Sequence, residues 1–533
     1  MRDFLAYAEF EAFWDRFQPE TPGGRAIKDT MAVHRDAEVL EGLWDDTEAA
    51  LKLLQSLDGD VPGLSRLRHH LKRIPRLPDA ASKDFDEVEV FQFKKFLHNY
   101  KNIVLLLDDA SLGHFGLRYE SESLEALLDK GRQSPESFYV SDAYSEALAR
   151  ARRRIEDLNQ GIEALRQQRV KEIHGRWALD FGARAFLVVP RSRLGDAASA
   201  ASLLLIEPFD HDHWTVRPLP SGQELTLLEE RTEWLARERN EEDAVLAQLS
   251  KTIHAEMTTI EAYRKALTRF DLAFARARLA KEEALVRPTL HQGAMSIAQG
   301  RFIPCQEHCQ RLGMTYMPLD ARFDEPSTVI FGSNMGGKTV VLKTVAFLQL
   351  CVQTGLFAPA TSFATRLFSH FLYLGEGRTP LEARGLSGFG CEIRSLAEAW
   401  PDLDAPTLAL FDEFARTTNS REAEALLSAV VEALATRPVT ALFSTHFRGV
   451  KRLPGAAYLR MKGLDRAGLA SGFDGDTSLE ARLRLVDAHM DFRLVPDDPQ
   501  AQVADAIAVA GLLGLDGALT ERAAHFFHDD SKE

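Results

Sequence analysis

Gly332-Ser333-Asn334-Met335-Gly336-Gly337-Lys338-Thr339 satisfies the pattern G-x-x-x-x-G-K-[ST]. An apolar run, Ser327 to Phe331, precedes it, and a helix-like stretch, Val340 to Gln353, follows. Backbone N–H groups of a glycine-rich turn can wrap a phosphate only where no side chain blocks the approach, and the following helix aims its positive dipole end at the same anion. The stretch therefore predicts a strand, a phosphate-binding turn and a helix within an α/β domain. Gly332, Ser333, Asn334, Met335, Gly336 and Gly337 would cradle the phosphates of a nucleoside triphosphate. Lys338 would reach its β and γ phosphates, and the Thr339 hydroxyl would ligate Mg²⁺.

Downstream, Leu408-Ala409-Leu410-Phe411-Asp412-Glu413 is an apolar run ending in two carboxylates, and Ser444-Thr445-His446-Phe447 closes a second run that starts at Val439. Ser387-Gly388-Phe389-Gly390-Cys391-Glu392 lies between the turn and the acidic pair. In-line attack of water on a γ-phosphate relies on positioning and charge neutralisation, so a metal, a lysine, a water-orienting group and a γ-phosphate sensor are the expected parts. With Tyr316-Met317-Pro318-Leu319-Asp320 before the turn and Gly355-Leu356-Phe357-Ala358-Pro359-Ala360 after it, the order of these motifs resembles the ATPase domain of the MutS family, the dimeric ABC-type ATPases of DNA mismatch repair.

The resemblance implies ATP and Mg²⁺ as cofactors. It implies that Asp412 holds the metal shell, that Glu413 orients or deprotonates the attacking water and that His446 contacts the γ-phosphate. Ser387 would complete the ATP site of the opposite subunit, making the active unit a homodimer with composite sites. Tyr316 falls where the family has an aromatic that stacks on adenine; a buried core aromatic is the other reading of that residue.

At 533 residues the chain has room for two or three domains and an ample core. Cys305, Cys309, Cys351 and Cys391 are too few and too irregular for a disulfide framework, which fits a reducing compartment. No signal peptide opens the sequence and no apolar stretch is long enough to span a bilayer, so a cytoplasmic location is expected. A formal net charge of −15 opposes indiscriminate nucleic-acid binding through charge alone. Cys305, His308 and Cys309 share helical spacing but lack a second pair at metal-finger spacing. Asp210-His211-Asp212-His213 reads as a polar hairpin turn.

The first half is predicted to be helical with one β interruption. Leu148, Ala151, Ile155, Leu158, Ile162 and Leu165 mark a long helix with a narrow apolar seam, flanked by Arg150, Arg152, Arg153 and Arg154. Leu246, Leu249, Ile253, Ile260, Leu267 and Phe274 mark a second seam, and the two would pair as antiparallel levers. Between them Ala185 to Pro190, Ser202 to Phe209 and Trp214 to Pro218 are β-prone runs. The order resembles the core, lever and clamp of MutS proteins, with Thr21-Pro22-Gly23-Gly24-Arg25 at the opening of the core.

The expected organisation is multidomain: a helical core and first lever over 1–182, a small β clamp over 183–220, a returning lever over 221–285, a P-loop ABC-type ATPase domain over 286–494 and a helical tail over 495–533. The chain is expected to start at the core, without the mismatch-recognition wedge, and to lack a nuclease-like Smr domain. Ala415 and Thr417 stand where mismatch-repair proteins have glycines, so a backbone needing positive φ there would be strained. That loop resembles MutS-like ATPases thought to reactivate cobalamin-dependent aminomutases. Two partners therefore stay open: DNA gripped without a wedge, or a protein such as an aminomutase. Arg184, Arg191, Arg193 and Arg217 against Asp196, Glu207, Asp210 and Asp212 leave the clamp balanced rather than basic, so DNA binding is expected to be weak.

Overall fold

The computed structural model describes residues 1–57, 59, 61–79, 84–131, 137–182, 184–194, 201–333, 336–375, 388–465, 486, 488–498 and 505–529. They divide into a larger unit, Met1–Arg68 with Asp108–Gly116 and Ala266–Glu533, and a smaller one, His69–Leu107 with Leu117–Lys265.

The chain opens with helices α1 (Arg2–Tyr7), α2 (Phe10–Trp14), α3 (Pro22–Lys28), α4 (Ala37–Ser56), α5 (Val61–Arg73), α6 (Glu87–Leu106), α7 (Asp109–Phe115) and α8 (Glu122–Leu128). A long helix α9 (Glu146–Trp177) leads to strands β1 (Leu187–Pro190), β2 (Leu204–Pro208) and β3 (His213–Pro218), and α10 (Gly222–Ala255) and α11 (Met257–Glu282) return. Next come β4 (Thr289–Leu290), β5 (Met295–Gly300), α12 (Ile303–Leu312), β6 (Leu319–Phe323), β7 (Ser327–Phe331), α13 (Lys338–Gln353), β8 (Ser362–Thr365) and β9 (His370–Gly375). The last elements are α14 (Gly388–Ala399), β10 (Thr407–Asp412), α15 (Ser420–Leu434), β11 (Val439–Thr445), β12 (Ala456–Leu464), β13 (Met490–Pro496), α16 (Asp505–Leu512) and α17 (Gly517–Asp529).

In the smaller unit the predicted seam residues Leu148, Ala151, Ile155, Leu158 and Ile162 are buried on α9. Arg152 of α9 binds Glu238 and Glu242 of α10 at 2.8 and 2.5 Å, whereas Arg166 binds Glu224 at 2.9 Å. Numbers rising on one helix while falling on the other make the pair antiparallel. The flanking arginines are thus partly spent on holding the levers together. The second seam is interrupted: α10 ends at Ala255 and α11 starts at Met257, where Thr258-Thr259-Ile260 brings β-branched residues that a helix accommodates less readily. The three short strands form an antiparallel sheet in the order β1-β3-β2. Its turn at Asp210 is closed by N–H donation from Asp212 and His213 to Asp210 Oδ1 at 2.8 and 2.7 Å.

The larger unit is built on a six-stranded sheet in the order β13-β12-β7-β11-β10-β9, parallel except for β13. Register matters most at one edge. Asp412 of β10 lies opposite Ser444 of β11, and Thr445 lies opposite Phe331 of β7, so three adjacent strands end flush where an open α/β sheet presents ligand sites. Helix α13 is apolar nearly all round and buried, as a helix covered on every side must be. Phe347 on it meets the rings of Phe10, Phe13 and Phe302, so the first two helices of the chain form part of its cover.

The same unit contains a buried carboxylate that organises the start of α3. Asp271 accepts from the Glu20 and Thr21 N–H groups at 2.9 and 2.8 Å and from the Thr21 hydroxyl at 2.6 Å. A Cβ on Gly24 would lie 2.4 Å from Asp271 Oδ2, which gives Gly24 in Thr21-Pro22-Gly23-Gly24 its physical reason. Asp271→Ala strands two buried backbone N–H groups and the Thr21 hydroxyl and is expected to cost about 3 kcal/mol. Urea unfolding followed by tryptophan fluorescence, with Trp14 and Trp44 in this unit, measures the loss.

Candidate functional site

The turn after β7 brings its backbone against its own lysine. Gly336 N–H donates to Ser333 O at 2.9 Å, and Gly337, the N-cap of α13, has φ +86°. A Cβ at Gly337 would sit 3.0 Å from the Phe492 ring, and one at Gly332 would sit 3.1 Å from Met461. Glycine is therefore needed both for conformation and for space. Lys338 is 3% exposed. Its Nζ donates to the carbonyls of Gly332 and Ser333, each at 2.9 Å, and lies 3.2 Å from Glu413 Oε1. Burial pulls the ammonium below its ordinary pKa, while Glu413 and Asp412 pull it back.

Asp412 ends β10 and is almost fully buried. Its Oδ1 accepts from Thr339 Oγ1 at 3.1 Å and from Ser444 Oγ at 2.5 Å, and its Oδ2 accepts from the Tyr7 hydroxyl at 3.2 Å. Glu413 follows with φ +53°, an unfavourable conformation for a side chain of its size, held by donation of its N–H to Ser444 O and Oγ at 3.1 and 3.0 Å. Arg416 and His446 stand 3.5 and 3.6 Å from Glu413 Oε2, too far for full hydrogen bonds. That oxygen is buried and makes no hydrogen bond among the described residues.

Beside the turn lies a cavity of about 140 Å³ lined by Tyr316, Cys305, Cys309, Val340, Val341 and Phe492, among others. Tyr316 is half-buried and its hydroxyl accepts from Phe302 N–H at 2.7 Å. Burial pushes the phenol up to about 12. Cys305 and Cys309 face this cavity from α12, and burial pushes the Cys305 thiol up to about 12.

Of the residues singled out from sequence, Gly332, Ser333, Gly336, Gly337, Lys338, Thr339, Asp412, Glu413 and His446 thus converge at the sheet edge, with Tyr316 at the neighbouring cavity. Asn334, Met335 and Ser387 lie outside the described residues. Ala415, in the loop where glycine was missed, has φ +61° and is buried; Thr417 is not in that conformation. Two contributors went unassigned. Ser444 could have been found from its parallel register with Asp412, whereas Tyr7, hundreds of residues away, carries no local signal.

Residues 328–462 match MutS domain V. The chain is 26% identical over 528 residues to an Endonuclease MutS2 of Shouchella clausii, covering 94% of this chain and 61% of that protein. It is 25% identical over 397 residues to an Endonuclease MutS2 of Clostridium botulinum, covering 72% of this chain and 47% of the relative. A third such protein, from Clostridium acetobutylicum, is 28% identical over 327 residues, 58% of this chain and 39% of the relative. The chain therefore spans between about four-tenths and six-tenths of these relatives. Residues 328–462 thus match MutS domain V, and most of the chain is similar to MutS2 proteins.

Gly337→Ala is expected to destabilise the larger unit by about 1–2 kcal/mol, since a Cβ must both take the left-handed conformation and displace Phe492. Thermal unfolding of the variant beside a Gly313→Ala control, where φ is +67° and nothing lies within 4 Å, separates the steric part from the conformational part.

Proposed function

We propose that the chain is a Mg²⁺-dependent ATPase whose site is the edge formed by the turn at 332–339, Asp412, Glu413 and His446. The single observation that supports this most is the buried Lys338–Glu413 pair beside a Glu413 Oε2 that accepts no hydrogen bond among the described residues. A phosphate could take over the carbonyls' role around Lys338. A water could take the lone pairs that Glu413 Oε2 leaves unused. Thr339 Oγ1 and Asp412 supply hard oxygen donors on adjoining elements, which suits Mg²⁺; when bound, the ion would neutralise phosphate charge.

In this reading Lys338 holds the β and γ phosphates and Glu413 orients the attacking water and receives its proton. The water oxygen bonds to the γ-phosphorus as the bond to the β–γ bridging oxygen breaks, and ADP leaves. His446 reports on the γ-phosphate, and the cavity at Tyr316 takes the base. Ser387 would act in trans, so the proposed active form is a homodimer that closes on ATP. The proposed setting is cytoplasmic.

The clamped object is proposed to be DNA. A protein partner, such as a cobalamin-dependent aminomutase, is the second reading. It is favoured by the small sheet, on and beside which Phe186, Val188, Leu205 and Phe209 are 40–62% exposed while Arg191 is stacked on Trp214 at 4.2 Å. Exposed apolar side chains suit a protein surface better than a phosphate backbone.

Lys338→Ala is expected to lose nucleotide affinity, whereas Glu413→Ala should bind ATP and cleave it at least 100-fold more slowly, on the order of magnitude a positioned base contributes. Nucleotide titration and phosphate release measure the two separately; hydrolysis by Glu413→Ala at the wild-type rate would remove its assigned role. Mixing Ser387→Arg with Lys338→Ala subunits should restore some hydrolysis if sites are shared between subunits. Duplex binding is expected to be weak, indifferent to a mismatch and steeply reduced by salt. Undetectable binding at low salt, with nucleotide-dependent capture of an aminomutase, would put the second reading first.

A further inference from the structure

Tyr7 is the last residue of α1 and is 8% exposed. Its ring stacks on Tyr373 of β9, with centroids 3.9 Å apart and planes 19° apart, and Lys343 Nζ lies 5.5 Å above it. Two residues later Glu9, at φ +50°, binds Lys343 Nζ at 2.5 Å. The elbow between α1 and α2 is thereby fastened to α13 just beyond the phosphate-loop turn. The Tyr7 hydroxyl stands 3.2 Å from Asp412 Oδ2 and 3.5 Å from Thr339 O. Its single proton serves the shorter contact better. Burial and the neighbouring Asp412 hold the phenol well above its ordinary range.

The two oxygens of Asp412 are thus held from opposite sides. Thr339 and Ser444 donate to Oδ1; among the described residues Tyr7 alone donates to Oδ2. A carboxylate deprived of its Oδ2 donor is free to rotate about the oxygen that Thr339 and Ser444 still hold. That rotation weakens it as a holder of a metal shell.

We infer that Tyr7 is a positioning residue for the metal site: its hydroxyl fixes the Asp412 carboxylate, so that the N-terminal elbow sets the metal affinity of a site whose motifs all lie more than 300 residues away. This rests on the ATPase reading and deepens it. A ring that merely fills space at the α1–β9 contact is the competing explanation, and it makes a different prediction. Phenylalanine would replace it without effect on metal.

The test is Mn²⁺ binding to the full chain, followed by electron paramagnetic resonance in the presence of a non-hydrolysable ATP analogue. The wild type, Tyr7→Phe and Phe4→Leu are compared, the last loosening the packing of α1 on Phe371 without touching Asp412. Tyr7→Phe should bind Mn²⁺ about tenfold more weakly, the usual consequence of losing a partner that orients a metal-side group. Its analogue affinity in EDTA and its unfolding midpoint should match the wild type, and excess Mg²⁺ should restore its rate of hydrolysis. Phe4→Leu should lower the midpoint and leave Mn²⁺ binding within twofold. Equal Mn²⁺ affinity in Tyr7→Phe and wild type overturns the inference, as does an equal loss in Phe4→Leu. A wild type that binds no Mn²⁺ with the analogue overturns the ATPase reading itself, and this inference with it.

Discussion

A lysine ammonium withdrawn from water has to be surrounded by oxygen, and the larger unit is arranged around that requirement at Lys338. Two turn carbonyls and Glu413 supply the oxygens. For the carbonyls to point inward the turn must double back on itself, which needs Gly337 at positive φ and leaves a Cβ at Gly332 or Gly337 tight against Met461 or Phe492. For Glu413 to reach across, β10 and β11 must end in register beside β7, and Glu413 must accept a left-handed backbone held by Ser444. Removing a charge from water costs several kcal/mol even when it is paired. Among the described residues Glu413 Oε2 makes no hydrogen bond, although Arg416 and His446 stand 3.5 and 3.6 Å from it, so this edge is not arranged for stability alone.

The covering of α13 follows from the same constraint. A helix whose first turn faces the site and whose body is apolar on all sides has to be enclosed, and part of the enclosure comes from the opposite end of the chain. Phe10 and Phe13 pack on Phe347, and Tyr7 and Glu9 tie the elbow to Tyr373 and Lys343. Polar groups inside the enclosure are satisfied in turn. Gln353 donates to the carbonyls of Phe368 and His34, and Gln349 to Arg366 O and to Gln353 Oε1. The beginning of the chain is thus structurally inseparable from the sheet edge that carries the site.

Local signals were legible in the sequence because local physics makes them. Strand β7, the turn and α13 are written in one continuous stretch, and an apolar run ending in Asp412-Glu413 can hardly be anything but a buried strand meeting a polar edge. The lever seams were equally readable, with Leu148 to Ile162 buried as their spacing demands, although the break at Glu256 was not, because a single weak turn leaves the periodicity on either side intact. Contacts across long separations were invisible. Tyr7 looks like any aromatic on a short amphipathic helix, and reading 1–182 as one helical body gave no hint that its first 68 residues pack with the second half. The strain expected where glycine was missing is present at Ala415 and absent at Thr417, so one of the two positions retains the backbone its sequence disfavours.

The most direct test of the central claim is a crystal structure with Mn²⁺ and a non-hydrolysable ATP analogue, read by the anomalous signal of the metal. The expected result is a single strong peak within ligand distance of Thr339 Oγ1 and within water-bridging distance of Asp412, about 2–4 Å away. The γ-phosphate should lie against Lys338 Nζ and the base against Tyr316. A nucleotide seated elsewhere, or a metal peak remote from Thr339 and Asp412, would contradict it.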